Sequence, residues 1–347
     1  MEASLIESYL EGRMSDREDL YVSGLAEITD GWETEIYSFN AESSKDGKKS
    51  IEKLVLRMYS GPWASQKARK EFGILKRFLK AGYPVPEVLL IEEDSTHLGR
   101  PFIIMQRIEG GAMWSLMNSE DSIRTSKLMH LFSKLFYDLH NLDWKLLVEN
   151  PNEFEGLDSK VATLQWVEKY ESRAREIGRV ELLALVEWLK TRIDGVTFTE
   201  LSPTHNDFHP NNILIDDSGN PFVIDWTAAD LLDYRVDIAW TLVLTKAYAG
   251  DSMRDALLRG YEEVCEGHVE DIHFFEVIGA LRRLTDILVS LDTDSEEIGL
   301  RAGASNIIRE QLAQNLTLLD IVKNHTGIDF PKIRELMTRE NQVTSKD

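Results

Sequence analysis

Cysteine is nearly absent. Cys265 is the sole cysteine among 347 residues, so no intrachain disulfide can form. That fits a reducing, cytoplasmic setting. Cys265 itself falls in a helical-looking stretch, "YEEVCEGH", and reads as a packed thiol rather than a nucleophile. Long apolar runs are missing too: no stretch reaches the ~18 residues that a membrane-spanning helix needs. The opening "MEASLIESYLEGRMSD" has neither a basic leader nor an apolar core, which argues against a signal peptide. Positive charge is scarce, with 39 Lys and Arg against 60 Asp and Glu, a formal net charge of −21. Such a surface repels nucleic acid and anionic membranes. It suits a well-solvated protein and is compatible with a cationic substrate.

What is present is ordinary globular material. The hydrophobic share is 43%, and the length suggests about two domains of ~150 residues. Residues 1–18 read as a short polar helix. Strand-like segments begin at Leu20: "LYVSGLAEI", "EIYSFNAE" and "EKLVLRMYS", the last two joined through Asp46-Gly47, a hairpin turn signal. A helix follows in which Phe72, Leu75, Phe78 and Leu79 recur at helical spacing, ended by Gly82 and Pro84. Two more strands, "VPEVLLIEE" and "RPFIIMQRI", lead to "EGG" at 109–111, which reads as a linker. Beyond it the pattern is mostly helical, with Leu128, Leu131, Leu135 and Leu139 forming one stripe. The expected division is 1–108 and 109–347, with the cleft between the two as the default place for a ligand.

One segment interrupts the helices: "THNDFHPNNILIDDSGNPFVIDW", residues 204–226. Turn preference explains Asp216, Asp217, Ser218, Gly219 and Asn220. It does not explain Asp207, Asn212 and Asp225, polar residues flanking apolar strands. Asn212 precedes the strand "ILI", and "FVI" returns to Asp225. A hairpin of that length brings its ends together, so Asn212 and Asp225 can converge on a metal, with Asp207 on the adjoining loop. Hard oxygen ligands suit magnesium. Phosphoryl transfer to a hydroxyl requires this set: a carboxylate at the acceptor and oxygens holding magnesium against phosphates.

On these residues the chain resembles the aminoglycoside phosphotransferase and choline kinase family, the small-molecule branch of the protein-kinase-like fold. "HNDFHPNN" and "VIDW" match the family's His-Gly-Asp, four residues, Asn, and Ile-Asp-Trp, with Asn206 in place of the glycine. "LLDYRVDIAW" keeps Asp233, Asp237 and Ala239 but lacks a glycine and a proline of the family's pattern. The resemblance implies an α+β bilobal fold, a small antiparallel-sheet N-lobe with one helix and a larger helical C-lobe. It implies Asp207 as the catalytic carboxylate, Asn212 and Asp225 on Mg2+, and Asp237 holding the backbone of the catalytic loop. On the nucleotide side it implies Arg57 reaching phosphates, with Glu71 as its ion-pair partner. Val55 and Met105 would lie against the base, Gln106 to Ile108 would bond its edge, and the loop around Gly31 would cover the phosphates. The nucleotide expected is ATP, with GTP as an alternative. The acceptor expected is a small hydroxyl compound, aminoglycoside-like or a metabolite such as an amino alcohol or sugar. A kinase-like nucleotide-binding scaffold without transfer activity is the reading from another class; the complete Asp207, Asn212, Asp225 set argues against it. His205 reads as a brace for the loop, His140 as packing near it, and His209 stays outside the catalytic set. Asp230 and Asp233 read as a solvated acidic loop or as a face for a cationic acceptor.

Overall fold

The computed structural model describes residues 1–28, 34–118, 121–292 and 308–344. The elements run α1 (Ala3–Arg13), β1 (Glu18–Ile28), β2 (Thr34–Lys45), β3 (Lys48–Tyr59), α2 (Ala64–Lys80), β4 (Val88–Glu92), β5 (Phe102–Gln106) and β6 (Gly110–Ala112). Then follow α3 (Met113–Met117), α4 (Ser122–His140), α5 (Ser159–Glu176), α6 (Leu183–Arg192), β7 (Ser202–Thr204), β8 (Ile213–Asp216), β9 (Pro221–Val223) and β10 (Asp230–Leu232). The last helices are α7 (Tyr234–Cys265), α8 (Ile272–Asp292), α9 (Leu312–Asn315), α10 (Thr317–Thr326) and α11 (Pro331–Thr344). The fold is α+β, and the chain forms two compact units. The described residues of one are those up to Gly111 together with Leu214–Thr227. The rest belong to the other.

The first unit is built on a five-stranded sheet in the order β1-β2-β3-β5-β4, with each recorded pair antiparallel. β2 and β3 meet at Lys45↔Lys48, leaving a two-residue turn of Asp46 and Gly47, both at positive φ (52° and 72°). That is the turn whose twist matches paired strands, and Asp-Gly tolerates it. α1 is more than a polar helix. Ile6, Tyr9 and Leu10 sit at i, i+3 and i+4, and pack with Phe39, Leu56 and Phe102 in the core of the sheet.

The inward face of α2 also differs from the expected stripe. The buried row is Ala64, Ala68, Glu71, Leu75 and Phe78, while Leu79 is 44% exposed. Leu79 follows Phe78 by one position, which on a helix is about 100° round. The inner row therefore carries a carboxylate, Glu71, into the core. "EGG" is likewise more than a linker. Gly110 lies in β6, part of a three-stranded sheet ordered β6-β8-β9. A Cβ on Gly110 would fall 1.9 Å from the Ile215 carbonyl oxygen, so only glycine permits this approach.

The second unit is mostly helical. α4 buries Leu128, Phe132, Leu135, Phe136 and Leu139. α7 contributes Ile238, Leu242 and Val243, and α8 contributes Ile278 and Leu281. α7 kinks at Gly250, where φ is 82°. β7 and β10 form a short antiparallel ribbon with Thr204 opposite Asp230. The loop that carries Asp207 leaves from this ribbon. No helix among the described residues is long and apolar enough to cross a membrane.

Candidate active site

The 205–208 loop is held residue by residue by the first turns of α7. Asp237, fully buried, accepts the backbone N–H of His205 at Oδ2 (2.6 Å) and of Asn206 at Oδ1 (2.8 Å). Trp240 donates its indole N–H to Asp207 Oδ1 (3.0 Å), and Thr241 donates its hydroxyl to the Phe208 carbonyl (2.7 Å). These three residues sit at i, i+3 and i+4, one face of the helix. Asp237 thus does what the resemblance implied, and His140 braces it, with Nε2 3.4 Å from Asp237 Oδ2 and Nδ1 2.9 Å from the Tyr261 hydroxyl. His205 is buried with its ring edge on Phe208. From α8, Arg282 donates to the Asn206 carbonyl (2.7 Å) and stacks on Trp240 with its guanidinium carbon 3.5 Å from the ring centroid.

Asn206 has a φ of 60°, the left-handed region. Glycine enters it freely and asparagine more readily than other residues. That is why asparagine stands where the family has glycine. Its side-chain amide also donates to Thr204 Oγ1 (2.9 Å) and the Ala228 carbonyl (3.1 Å). Asn206→Gly is expected to lie within about 1 kcal/mol of the parent in urea unfolding, since glycine removes the strain but also the bonds. Asn206→Ala loses the same bonds and keeps the strain, and should cost roughly 1–2 kcal/mol more than the glycine variant. Equal stabilities for the two would refute the conformational account.

Asp207 accepts at Oδ2 from the Asn212 side-chain amide (3.3 Å), with His209 Nε2 at 3.5 Å from the same oxygen. The side chain keeps about a third of its surface exposed (35%). Burial acts to raise its pKa, but His209, the Trp240 N–H and Arg282 outweigh it and hold the carboxyl well below the usual range. Asp207 is therefore an ionised, weakly basic, oriented carboxylate. Asn212 spends its amide donor on the Asp207 carbonyl (3.0 Å) and carboxylate, and its Oδ1 makes no recorded hydrogen bond among the described residues.

In the first unit, Arg57 on β3 is buried and makes a 2.6 Å bond from Nη2 to Asp225 Oδ1, with Nε 3.3 Å from Glu71 Oε2. Glu71 is itself buried and accepts from the Tyr59 hydroxyl (2.6 Å) and the Trp226 backbone N–H (3.2 Å). Burial pushes the Glu71 and Tyr59 pKa values up, and the carboxylates around Arg57 hold its guanidinium charged against the desolvation. Asp225 follows β9 at a φ of 67° and also accepts from the Thr227 hydroxyl (3.2 Å). Its side chain is 37% exposed, and Oδ2 makes no recorded hydrogen bond among the described residues. Each taken by itself, Asn212 with its amide oxygen and Asp225 with its partly exposed carboxylate offer the kind of hard oxygen that Mg2+ prefers.

Val55 pairs with Met105 across β3 and β5. Of the segment expected to meet a base edge, Gln106 and Arg107 spend their N–H groups on the Glu87 and Lys53 carbonyls (2.8 and 2.9 Å). The Ile108 N–H has no recorded partner among the described residues. Gly31 lies outside the described residues. Asp233 is not a face for a cationic acceptor. It is fully buried, caps α7 through Arg235 N–H, and pairs with the Arg235 guanidinium at 2.8 Å. Asp230 is exposed on β10. Trp240, Thr241 and Arg282 were not singled out from sequence. The first two follow Asp237 at helical spacing, a signal that was present; Arg282 lies on another helix and left none.

The two units have the architecture of kinase-like phosphotransferases. Residues 24–273 match the model of the phosphotransferase enzyme family known as APH, and the chain belongs to that family. A mouse protein, acyl-CoA dehydrogenase family member 10, is 28% identical over 179 residues, 50% of this chain; the match spans only 16% of that protein's length. Among solved structures, a candidate aminoglycoside phosphotransferase from Ralstonia eutropha is similar with a TM-score of 0.64 at 14% identity, covering 93% of this chain and 98% of that one. Spectinomycin phosphotransferase in complex with ADP and spectinomycin is similar with a TM-score of 0.53 at 13% identity, covering 99% of each.

Proposed function

We propose that the chain is an ATP-dependent O-phosphotransferase that moves the γ-phosphoryl group to a hydroxyl of a small molecule. Residues 1–108 bind nucleotide, and 109–347 carry the catalytic loop and the acceptor. The observation that carries the reading is Asp207: part-exposed, and fixed on both oxygens by Trp240 and Asn212. Family membership supplies the reaction class. The ADP bound by spectinomycin phosphotransferase favours an adenine nucleotide, and the oxygen donors of Asn212 and Asp225 support Mg2+ as the metal.

In this mechanism Arg57, oriented by Glu71, positions the phosphates. Asn212 and Asp225 would each offer an oxygen to Mg2+, which would supply charge neutralisation at the phosphates. The acceptor hydroxyl donates a hydrogen bond to Asp207, which aims a lone pair of its oxygen at the γ-phosphorus. That oxygen–phosphorus bond forms as the bond to the ADP oxygen breaks, and the hydroxyl proton passes to the Asp207 carboxylate. A weakly basic carboxylate suits a loose transition state, in which the proton moves late and positioning contributes most. Trp240→Phe removes the N–H that fixes Asp207 and should lower kcat about tenfold, the equivalent of one hydrogen bond to a charged group. An unchanged kcat would show that the indole merely packs. Asp225→Ala should weaken nucleotide binding in the presence of magnesium much more than in its absence; equal nucleotide affinity in magnesium titrations of the two proteins would count against its role.

The test of the reaction is magnesium-dependent ADP release from ATP across aminoglycosides, macrolides, choline-like alcohols, sugars and homoserine. Release stimulated by one class, and lost in Asp207→Ala, identifies the acceptor. Phosphate appearing on water alone, at the same rate with every compound, would contradict transfer to an alcohol.

A further inference from the structure

Away from the Asp207 loop, three side chains of the second unit converge on one point. His273 and Glu276 stand at i and i+3 on the first turn of α8, and His325 stands on the last turn of α10. Glu276 is buried (3% exposed). Its Oε2 lies 3.3 Å from His273 Nδ1 and 3.0 Å from His325 Nε2, and the three donor atoms fall within 4.8 Å of one another.

We propose that His273, Glu276 and His325 form a binding site for a divalent transition metal, best matched by Zn2+. Two imidazoles and one carboxylate, with a position left open, make up a known zinc donor set. Bonds of about 2.0–2.2 Å in tetrahedral geometry require donors roughly 3.3–3.5 Å apart. The two distances to Glu276 already come close to that. A turn of the exposed His273 ring (70%) would close the third edge, and the ring lies at the solvent from which a fourth ligand would come. Glu276 is also oriented as a ligating carboxylate is. Its other oxygen, Oε1, accepts from Arg254 at Nε (2.9 Å) and Nη2 (2.6 Å), which fixes Oε2 toward the histidines.

The local charge agrees. Arg254 is shared between Glu276 and Asp255, its Nη1 lying 2.9 Å from the latter, so one guanidinium faces two carboxylates. The excess is negative. The two imidazole rings lie together, their centroids 4.6 Å apart. A single cation held by both nitrogens and the carboxylate satisfies all three groups. The ion would tie the start of α8 to the end of α10. Arg282, whose bond to the Asn206 carbonyl steadies the catalytic loop, lies on α8 six residues beyond Glu276, about 9 Å along the axis. The site's role is to staple these helices. It does not depend on the transfer reaction.

The test uses the full chain stripped with a chelator and titrated with Co2+ as a spectroscopic stand-in, then with Zn2+ in competition. One equivalent of Co2+ should give the visible absorption of a low-coordinate site, and Zn2+ should displace it and raise the melting temperature. His273→Ala and His325→Ala should each weaken uptake by at least the ~10–100-fold that loss of even an outer-shell partner costs. His268→Ala, altering an exposed histidine paired with Glu262, should bind as the parent does. His273 is exposed, so its variant tests the site even where His325→Ala folds poorly. Uptake and spectrum unchanged in His273→Ala would overturn the proposal, as would a parent protein that takes up no more Co2+ than a variant carrying both His273→Ala and His325→Ala.

Discussion

Asp207→Ala is expected to lower turnover by about 10²–10⁴-fold, the usual range for a positioned acid–base group, while leaving the fold and nucleotide affinity nearly intact. The geometry explains why the loss should fall on kcat. Asp207 makes no contact that builds the core: its carboxylate meets the Trp240 N–H, the Asn212 amide and His209, and a third of the side chain is exposed. Removing it frees these donors to water at modest cost. Asp207→Asn separates two ways of acting. An amide still accepts a hydrogen bond through its oxygen, yet it neither takes a proton nor carries charge. With a carboxylate held well below its ordinary pKa, orientation should account for much of the effect. The asparagine variant should then retain more activity than alanine while remaining far below the parent. Full activity in Asp207→Ala, with nucleotide bound and magnesium present, would remove Asp207 from the reaction. The measurement is steady-state kcat and KM for ATP with the stimulating acceptor, alongside nucleotide titration of each variant.

Much of this site was legible in the order of residues. Local chemistry carried the strongest signals. Asp46-Gly47 fixed a hairpin because both residues had to enter positive φ. Asp237, two turns from nothing obvious in the sequence, became meaningful only through the resemblance, and the structure gives its reason: two carboxylate oxygens for two consecutive backbone N–H groups. Three features were not legible for physical reasons. Apolar periodicity placed Leu79 inward because it counts only apolar residues, whereas the true inner face of α2 contains Glu71, held there by Arg57, Tyr59 and Trp226. Gly110 looked like linker because a close backbone approach leaves no compositional trace. Asp233 looked like an available acidic group because a sequence does not show that Arg235, two residues on, folds back onto it. In each instance the missing information was a partner brought near by the fold.

Glu71→Ala is the substitution expected to cost the most stability, about 3–5 kcal/mol, the range for removing one partner of a buried ion pair. The magnitude follows from what remains. Arg57 stays buried and charged with Asp225 as its one remaining carboxylate among the described residues, and the Tyr59 hydroxyl and Trp226 N–H lose the Glu71 acceptor inside the core. Unsatisfied buried donors each carry a cost of about 1–3 kcal/mol. Glu71→Gln keeps an oxygen for the Trp226 N–H and should lose less. Arg57→Met combined with Glu71→Met removes both charges together and should recover a large part of the loss, because well-packed apolar residues often replace a buried pair without penalty. That double variant should nonetheless bind nucleotide poorly, since the cation meant for the phosphates is gone. Stability and binding should therefore diverge if Arg57 acts on the phosphates as proposed: the pair costs desolvation to keep in the core, and the double variant would recover stability without recovering nucleotide affinity. Urea unfolding with unchanged m-values, set beside nucleotide titration, reads both. A Glu71→Ala protein within about 1 kcal/mol of the parent would mean that water or another group satisfies Arg57, and the argument that Glu71 orients it would fail.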